Sequence, residues 1–174
     1  APDVILPPDL AKVIADAGSG SLEWSDKLAR FTAGPVTITG KMLEGVYPNY
    51  RRPSTKTEGE PYAIDAGELL DAVRRVRIAS DAQQRKLRLT RKDGALGVRI
   101  EGTSGFEGED EIAADCTEGF EAGVNADFLV GMLQALDTDA VAVEHASPDE
   151  VMYFRPIAQA PDVTFEGLLA TIKI

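Results

Sequence analysis

"YAIDAGELLDAVRRV" (62–76) packs an alternating run, a carboxylate and an apolar stripe into one short stretch. Tyr62 and Ile64 alternate with other residues as a strand does, and Asp65 is a residue type that caps helices. Leu69, Leu70, Val73 and Val76 then recur at helical spacing. Two other stretches share this plan. "VILPPDLAKVIADAG" (4–18) sets Pro7 and Pro8 ahead of Leu10, Val13, Ile14 and Ala17. "FEAGVNADFLVGMLQAL" (120–136) sets Asn125, a second capping residue, ahead of Phe128, Leu129, Met132, Leu133 and Leu136.

Strand-like pieces follow each helix. After the first, Leu22/Trp24 and Val36/Ile38 alternate with polar neighbours, and Trp24 is expected in the core. After the second come "RKLRLTRKDGALGVRIEG" (85–102), a hairpin turning at Asp93-Gly94, and "GEDEIAADC" (108–116). After the third come "AVAVEHA" (140–146), "EVMYFRPI" (150–157) and "GLLATIKI" (167–174). The repeat is β-α-β-β-β, three times, at a spacing of about 55 to 60 residues. This predicts an α+β fold with helices on one face of antiparallel sheets.

"VYPNYRRPSTKTEGEP" (46–61) breaks the pattern. Its prolines fix φ and remove backbone donors, so it is neither helix interior nor central strand. Residues 1–46 are therefore expected as one domain portion, 47–61 as a linker, and 62–174 as a domain of two repeats.

The formal charge of −11 argues against non-specific nucleic-acid binding by the whole surface, although a local basic face can sit within it. One cysteine excludes an internal disulfide framework and points to the reducing cytosol. No apolar run is long enough to span a membrane. With one histidine and one cysteine, no Cys/His catalytic pair or multi-histidine metal set presents itself. His145 is expected at a surface or strand end. Glu109, Asp110, Glu111 and Asp115 read as a solvated strand edge rather than a calcium loop. "GTSGFEG" (102–108) lacks the lysine of a phosphate loop, and no cofactor is expected.

The linker "KMLEGVYPNYRRP" (41–53), the segment "RIASDAQQRKLRL" (77–89) and the helix entry "GVNADFLVGMLQAL" (123–136) together resemble the bacterial sliding clamp family. Members are beta subunits of DNA polymerase III. The resemblance implies rings of two three-domain subunits, two repeats per domain, encircling duplex DNA without catalysis. By that likeness residues 1–46 correspond to the second half of the middle domain and 62–174 to the carboxy-terminal domain, with a fragment expected rather than a short clamp. The implied partners are duplex DNA, the polymerase alpha subunit, the clamp loader, other proteins bearing a clamp-binding motif, and a second subunit in the full-length homodimer.

The resemblance also assigns site residues. Arg74 and Arg77 would face DNA phosphates; a solvated helix face is the plainer reading of the same charges. Arg88 and Arg91, alternating on a strand, are expected at the surface. Pro48, Arg52 and Pro53, with Val151, Leu168 and Ala170, would wall an apolar groove for partner peptides between the second and third domains. The alternative for Leu168 is core packing. The smaller "ATIKI" (170–174) departs from the family's terminal motif.

Overall fold

Why Pro7 and Pro8 precede a helix rather than break one is clear from the computed structural model, which describes residues 4–47, 59–80, 85–102, 105–117, 119, 121–158 and 165–174. Helix α1 (Pro8–Asp16) begins on Pro8, where a missing N–H costs nothing because the first helical donors are unpaired anyway. Residues 4–6, expected as a strand, are not one. Their backbone contact is a bond from Leu43 N–H to the Ile5 carbonyl (2.9 Å). Strands β1 (Ser21–Trp24), β2 (Leu28–Ala33) and β3 (Val36–Lys41) follow as an antiparallel sheet in that order.

Register decides what this sheet buries. Leu22, Phe31 and Ile38 lie opposite one another, as do Trp24, Ala29 and Gly40, so all six share one face. A Cβ on Gly40 would fall 2.5 Å from Leu10, so α1 lies over that face. Ala29 and Phe31 are buried, but Trp24 is 46% and Leu22 37% exposed. The expectation of a core tryptophan fails because β1 is an edge strand that α1 leaves uncovered. No residue of α1 is itself buried.

The chain divides into two compact units, Ala1–Arg52 and Pro53–Ile174. The second holds β4 (Tyr62–Asp65), α2 (Ala66–Arg77), β5 (Lys86–Lys92), β6 (Ala95–Glu101) and β7 (Glu107–Asp115), then β8 (Glu121–Asn125), α3 (Ala126–Leu136), β9 (Ala140–Glu144), β10 (Met152–Pro156) and β11 (Gly167–Leu169). Asp65 caps α2 by accepting from Glu68 N–H (2.8 Å). Asn125 caps α3 by accepting from Asp127 N–H (2.9 Å). The β5–β6 hairpin turns at Gly94, whose φ of 72° suits glycine. Leu69, Val73 and Val76 of α2 and Leu129, Leu133 and Leu136 of α3 are buried in a core shared with the strands. Each such side chain contributes about 1.5–3 kcal/mol by leaving water. Phe128, expected in that stripe, is 68% exposed, and Val130 is buried instead.

The eight strands run β11-β10-β9-β4-β7-β6-β5-β8, all antiparallel. This order is an exchange. The strand before each helix pairs with the strand after the other helix: β4 with β9, β8 with β5. The other edge of β4 takes β7, from its own repeat. The other edge of β8 meets Ile172, beyond β11 of its own repeat. The two repeats are thus related by a pseudo-two-fold, and the end of the chain closes the sheet. "GLLATIKI", expected as one strand, is instead β11 followed by this separate bridge.

One further expectation holds in part and another changes. The acidic strand β7 pairs with β6 over Glu107–Ala113 and with β4 at Ala63↔Asp115 and Ile64↔Ala114, so Glu109 and Glu111 stay exposed as expected while Asp115 lies where β4 joins the strand. Its carboxylates serve neighbouring cations, Arg75 reaching Asp110 at 2.7 Å, Arg99 reaching Glu107 at 2.9 Å and Lys92 reaching Glu111. His145 does follow a strand end, but it is 2% exposed, not at the surface. Its ring stands edge-on to Tyr62 at 6.1 Å, its Nε2 lies 3.4 Å from the Tyr62 hydroxyl, and the Gly59 backbone packs against its carbonyl.

Candidate functional site

Two features carry the residues singled out from sequence. The first is the outward face of the β10–β11 pair. Met152 lies opposite Leu169 and Tyr153 opposite Leu168. Side chains alternate along strands, so Met152, Phe154, Gly167 and Leu169 face inward, where all are buried. A Cβ on Gly167 would fall 2.6 Å from the Met132 sulfur, which seats α3 on this side of the sheet. Tyr153 and Leu168 therefore point away from the core. Continuing the register sets Val151 opposite Ala170 in the same sense.

This parity bears on the two readings of Leu168. Leu169 supplies the core packing at 5% exposure, while Leu168 is 37% exposed on the far side. The three described groove candidates, Val151, Leu168 and Ala170, come together on one face of one hairpin. The sequence reading missed Tyr153, an aromatic on that face with 4% exposure. It also missed Arg155, held between Glu144 (2.7 Å) and Glu166 (2.9 Å) one step along the same face. The available signal was period two along "EVMYFRPI". Pro48, Arg52 and Pro53 lie outside the described residues.

The second feature is the corner where the end of α2 meets the start of α3. Arg74, Arg75 and Arg77 crowd the last turn of α2, where cations favour the negative end of the helix dipole. Each has an anionic neighbour. Arg77 pairs with Asp127 at 2.9 Å, and Arg85 approaches the other oxygen of that carboxylate at 3.4 Å. Arg75 pairs with Asp110, and Arg74 lies 3.6 Å from Asp71 in an exposed contact. The guanidinium of Arg75 holds the Asp110 carboxyl below its ordinary range, with a backbone N–H adding to the effect. Asp127, the hub of the corner, went unnoticed in the sequence because its partners lie fifty and forty-two residues upstream. Of the strand arginines expected at the surface, Arg88 is half-buried against Glu121, and Arg91 lies 5.2 Å over the Tyr62 ring.

Among the described residues no three His, Cys, Asp or Glu side chains gather as a metal site. No described helix is long and apolar enough to cross a membrane.

Residues 56–169 match the family model of the DNA polymerase III beta subunit, C-terminal domain. A beta sliding clamp of Pseudomonas putida is 29% identical over 135 residues, covering 76% of this chain and 37% of that protein. One from Caulobacter vibrioides is 25% identical over 160 residues, covering 87% of this chain and 43% of that protein. The chain thus spans about two-fifths of the length of these relatives. The crystal structure of a sliding clamp from Bartonella birtlesii bound to griselimycin superposes with a TM-score of 0.86 at 23% identity, over 99% of this chain and 48% of that one. A Caulobacter crescentus clamp gives 0.88 at 21% identity, covering 99% and 47%. These structures share the α+β architecture of repeated units described above. With a family model matching close to two-thirds of its length, the chain belongs to the family of the DNA polymerase III beta subunit.

Proposed function

We propose that this chain is the carboxy-terminal portion of a DNA sliding clamp, a non-catalytic processivity factor of the cytoplasm that tethers a replicative polymerase to duplex DNA. The observation that carries this reading is the convergence of Val151, Leu168 and Ala170 beside Tyr153 on the outward face of β10–β11. An exposed leucine beside a buried aromatic, rimmed by Arg155, Glu144 and Glu166, offers an anchor for one or two apolar side chains and polar groups that orient a peptide backbone. Pro48, Arg52 and Pro53 are assigned to the same groove by resemblance. The polymerase alpha subunit and the clamp loader are the partners proposed for it, and Arg74 and Arg77 are proposed to face phosphates in the ring formed by the full-length homodimer.

A second reading has its own support. The arginines at the end of α2 all have carboxylate neighbours, which lowers the field available to DNA. In that reading the chain captures partner peptides without encircling DNA. Fluorescence anisotropy with a labelled clamp-binding peptide tests the groove: Leu168→Glu weakens binding at least tenfold, and unchanged affinity refutes the assignment. Retention on nicked circular DNA with loss on linearisation separates encirclement from peptide capture alone.

A further inference from the structure

Ser80 closes the corner where α2 ends and α3 begins. A turn at Ile78 and Ala79 carries the chain out of the helix before it. Its Oγ donates to the Arg77 carbonyl at 2.7 Å and accepts from Arg85 Nη1 at 2.8 Å. The Ser80 N–H meets that same carbonyl at 3.0 Å, so the hydroxyl is held beside the last turn of α2. Arg85 thus joins Ser80 to Asp127, and Arg77 holds the other oxygen of that carboxylate. Arg85 also has a donor to spare. Its Nε is buried and, among the described residues, gives no hydrogen bond, since 3.4 Å to Asp127 is an ion contact rather than a bond. A buried donor without an acceptor is unfavourable, and a group with more acceptor oxygens than a hydroxyl would satisfy it.

We infer that Ser80 is a phosphoacceptor, and that its phosphate takes Arg85 and Arg77 from Asp127. The sequence before it suits a serine kinase that selects basic substrates, because Arg74, Arg75 and Arg77 lie just upstream. Ser80 is half-buried and lies beyond the helix, where the backbone opens at lower cost than within it. In the transfer Oγ attacks the terminal phosphorus of ATP. The O–P bond to Ser80 forms as the bond to ADP breaks, and the hydroxyl proton passes to a carboxylate of the kinase. The product brings three acceptor oxygens and a charge of about −2 to a place where Arg85 already bonds the Oγ. The carbonyl end of α2 and Asp127 disfavour an anion there, and the two guanidiniums oppose them. A dianion outcompetes the single charge of Asp127 for both. Arg77 and Arg85 then face a phosphate dianion as well as Asp127, so the positive corner becomes a negative one. On the proposed DNA-facing role of Arg77, phosphorylation weakens the hold of the chain on duplex DNA.

The test uses the full 174-residue chain with phosphoserine installed at Ser80 during translation, beside the unmodified chain. Phosphorus NMR titrates the phosphate, and the same chain unfolded in urea gives the reference, near pH 6 for a free phosphoserine. Cations beside the phosphate favour its dianion, so the native value falls below the reference by about one unit. Arg85→Gln returns it towards the reference, whereas Asp127→Asn removes the competitor and lowers it further. A folding defect would move both variants the same way. Radiolabelled ATP and a serine kinase that selects basic substrates label the unmodified chain, and Ser80→Ala abolishes the label. Filter binding on duplex DNA reads a log–log salt slope smaller by about 1–2 in the phosphorylated chain. A native phosphate that titrates like the unfolded one, a titration indifferent to Arg85→Gln and Asp127→Asn, or the absence of Ser80-dependent label overturns the inference. A lowered phosphate pKa with an unchanged salt slope supports the acceptor site and refutes the DNA-facing role of Arg77 instead.

Discussion

Replacing His145 with glutamine isolates a pH dependence that the fold builds into the carboxy-terminal unit. Burial disfavours the imidazolium, Arg91 adds repulsion, and the pKa falls from 6.5 to about 4. The sign follows from linkage. The unfolded chain binds a proton near pH 6.5 and the native protein resists it until about pH 4, so acid stabilises the unfolded state. The stabilisation is full above pH 6.5, declines as pH falls, and is gone at about pH 4. Each unit of displacement is worth about 1.4 kcal/mol, so lowering the pH from 6.5 to 5 costs about 2 kcal/mol. His145 is the only histidine, so no other side chain of ordinary pKa titrates through that window. Urea denaturation at half-unit steps between pH 5 and 7.5 measures the slope. His145→Gln keeps a polar group near the Tyr62 hydroxyl while removing the titration, and it flattens the curve. Parallel slopes for the two proteins would refute the argument.

Three further outcomes follow from named contacts. Gly123→Ala drives a Cβ to 2.4 Å from the Ile172 carbonyl oxygen and 2.7 Å from the Ile174 side chain. Losing the 2.8 Å bond from Ile172 N–H to Gly123 and straining the contact costs about 2–4 kcal/mol, read as faster exchange of the Ile172 amide and a lower urea midpoint. Asp127→Asn releases Arg77 and Arg85 at up to about 1 kcal/mol of stability. On the proposed phosphate-facing role of Arg77, it steepens the salt dependence of duplex DNA binding by about 1–2 in the log–log slope, measured by filter binding. Leu69→Ala opens a cavity beneath α2, where Leu69 is 1% exposed, and lowers unfolding stability by about 2–5 kcal/mol in urea.

The sequence by itself determined the helix caps, the α+β class and the repeat, apart from the opening strand of its first copy. These depend on local chemistry: a carboxylate or amide accepts an N–H two or three residues on, as Asp65 and Asn125 do, and a stripe at helical spacing buries one side of α2. It did not determine which leucine of "GLL" faces out. Period two allows either phase, and only pairing with β10 and the approach of α3 to Gly167 placed Leu169 in the core and Leu168 outside. His145 and Trp24 traded their expected surroundings for the same reason. Burial depends on what covers a strand end, and the linker backbone covers one while β1 stays bare. The exchange of strands between repeats, the closure at Ile172 and the Asp127 hub join residues dozens of positions apart. Local periodicity records which face an element can bury, and tertiary structure decides what it is buried against.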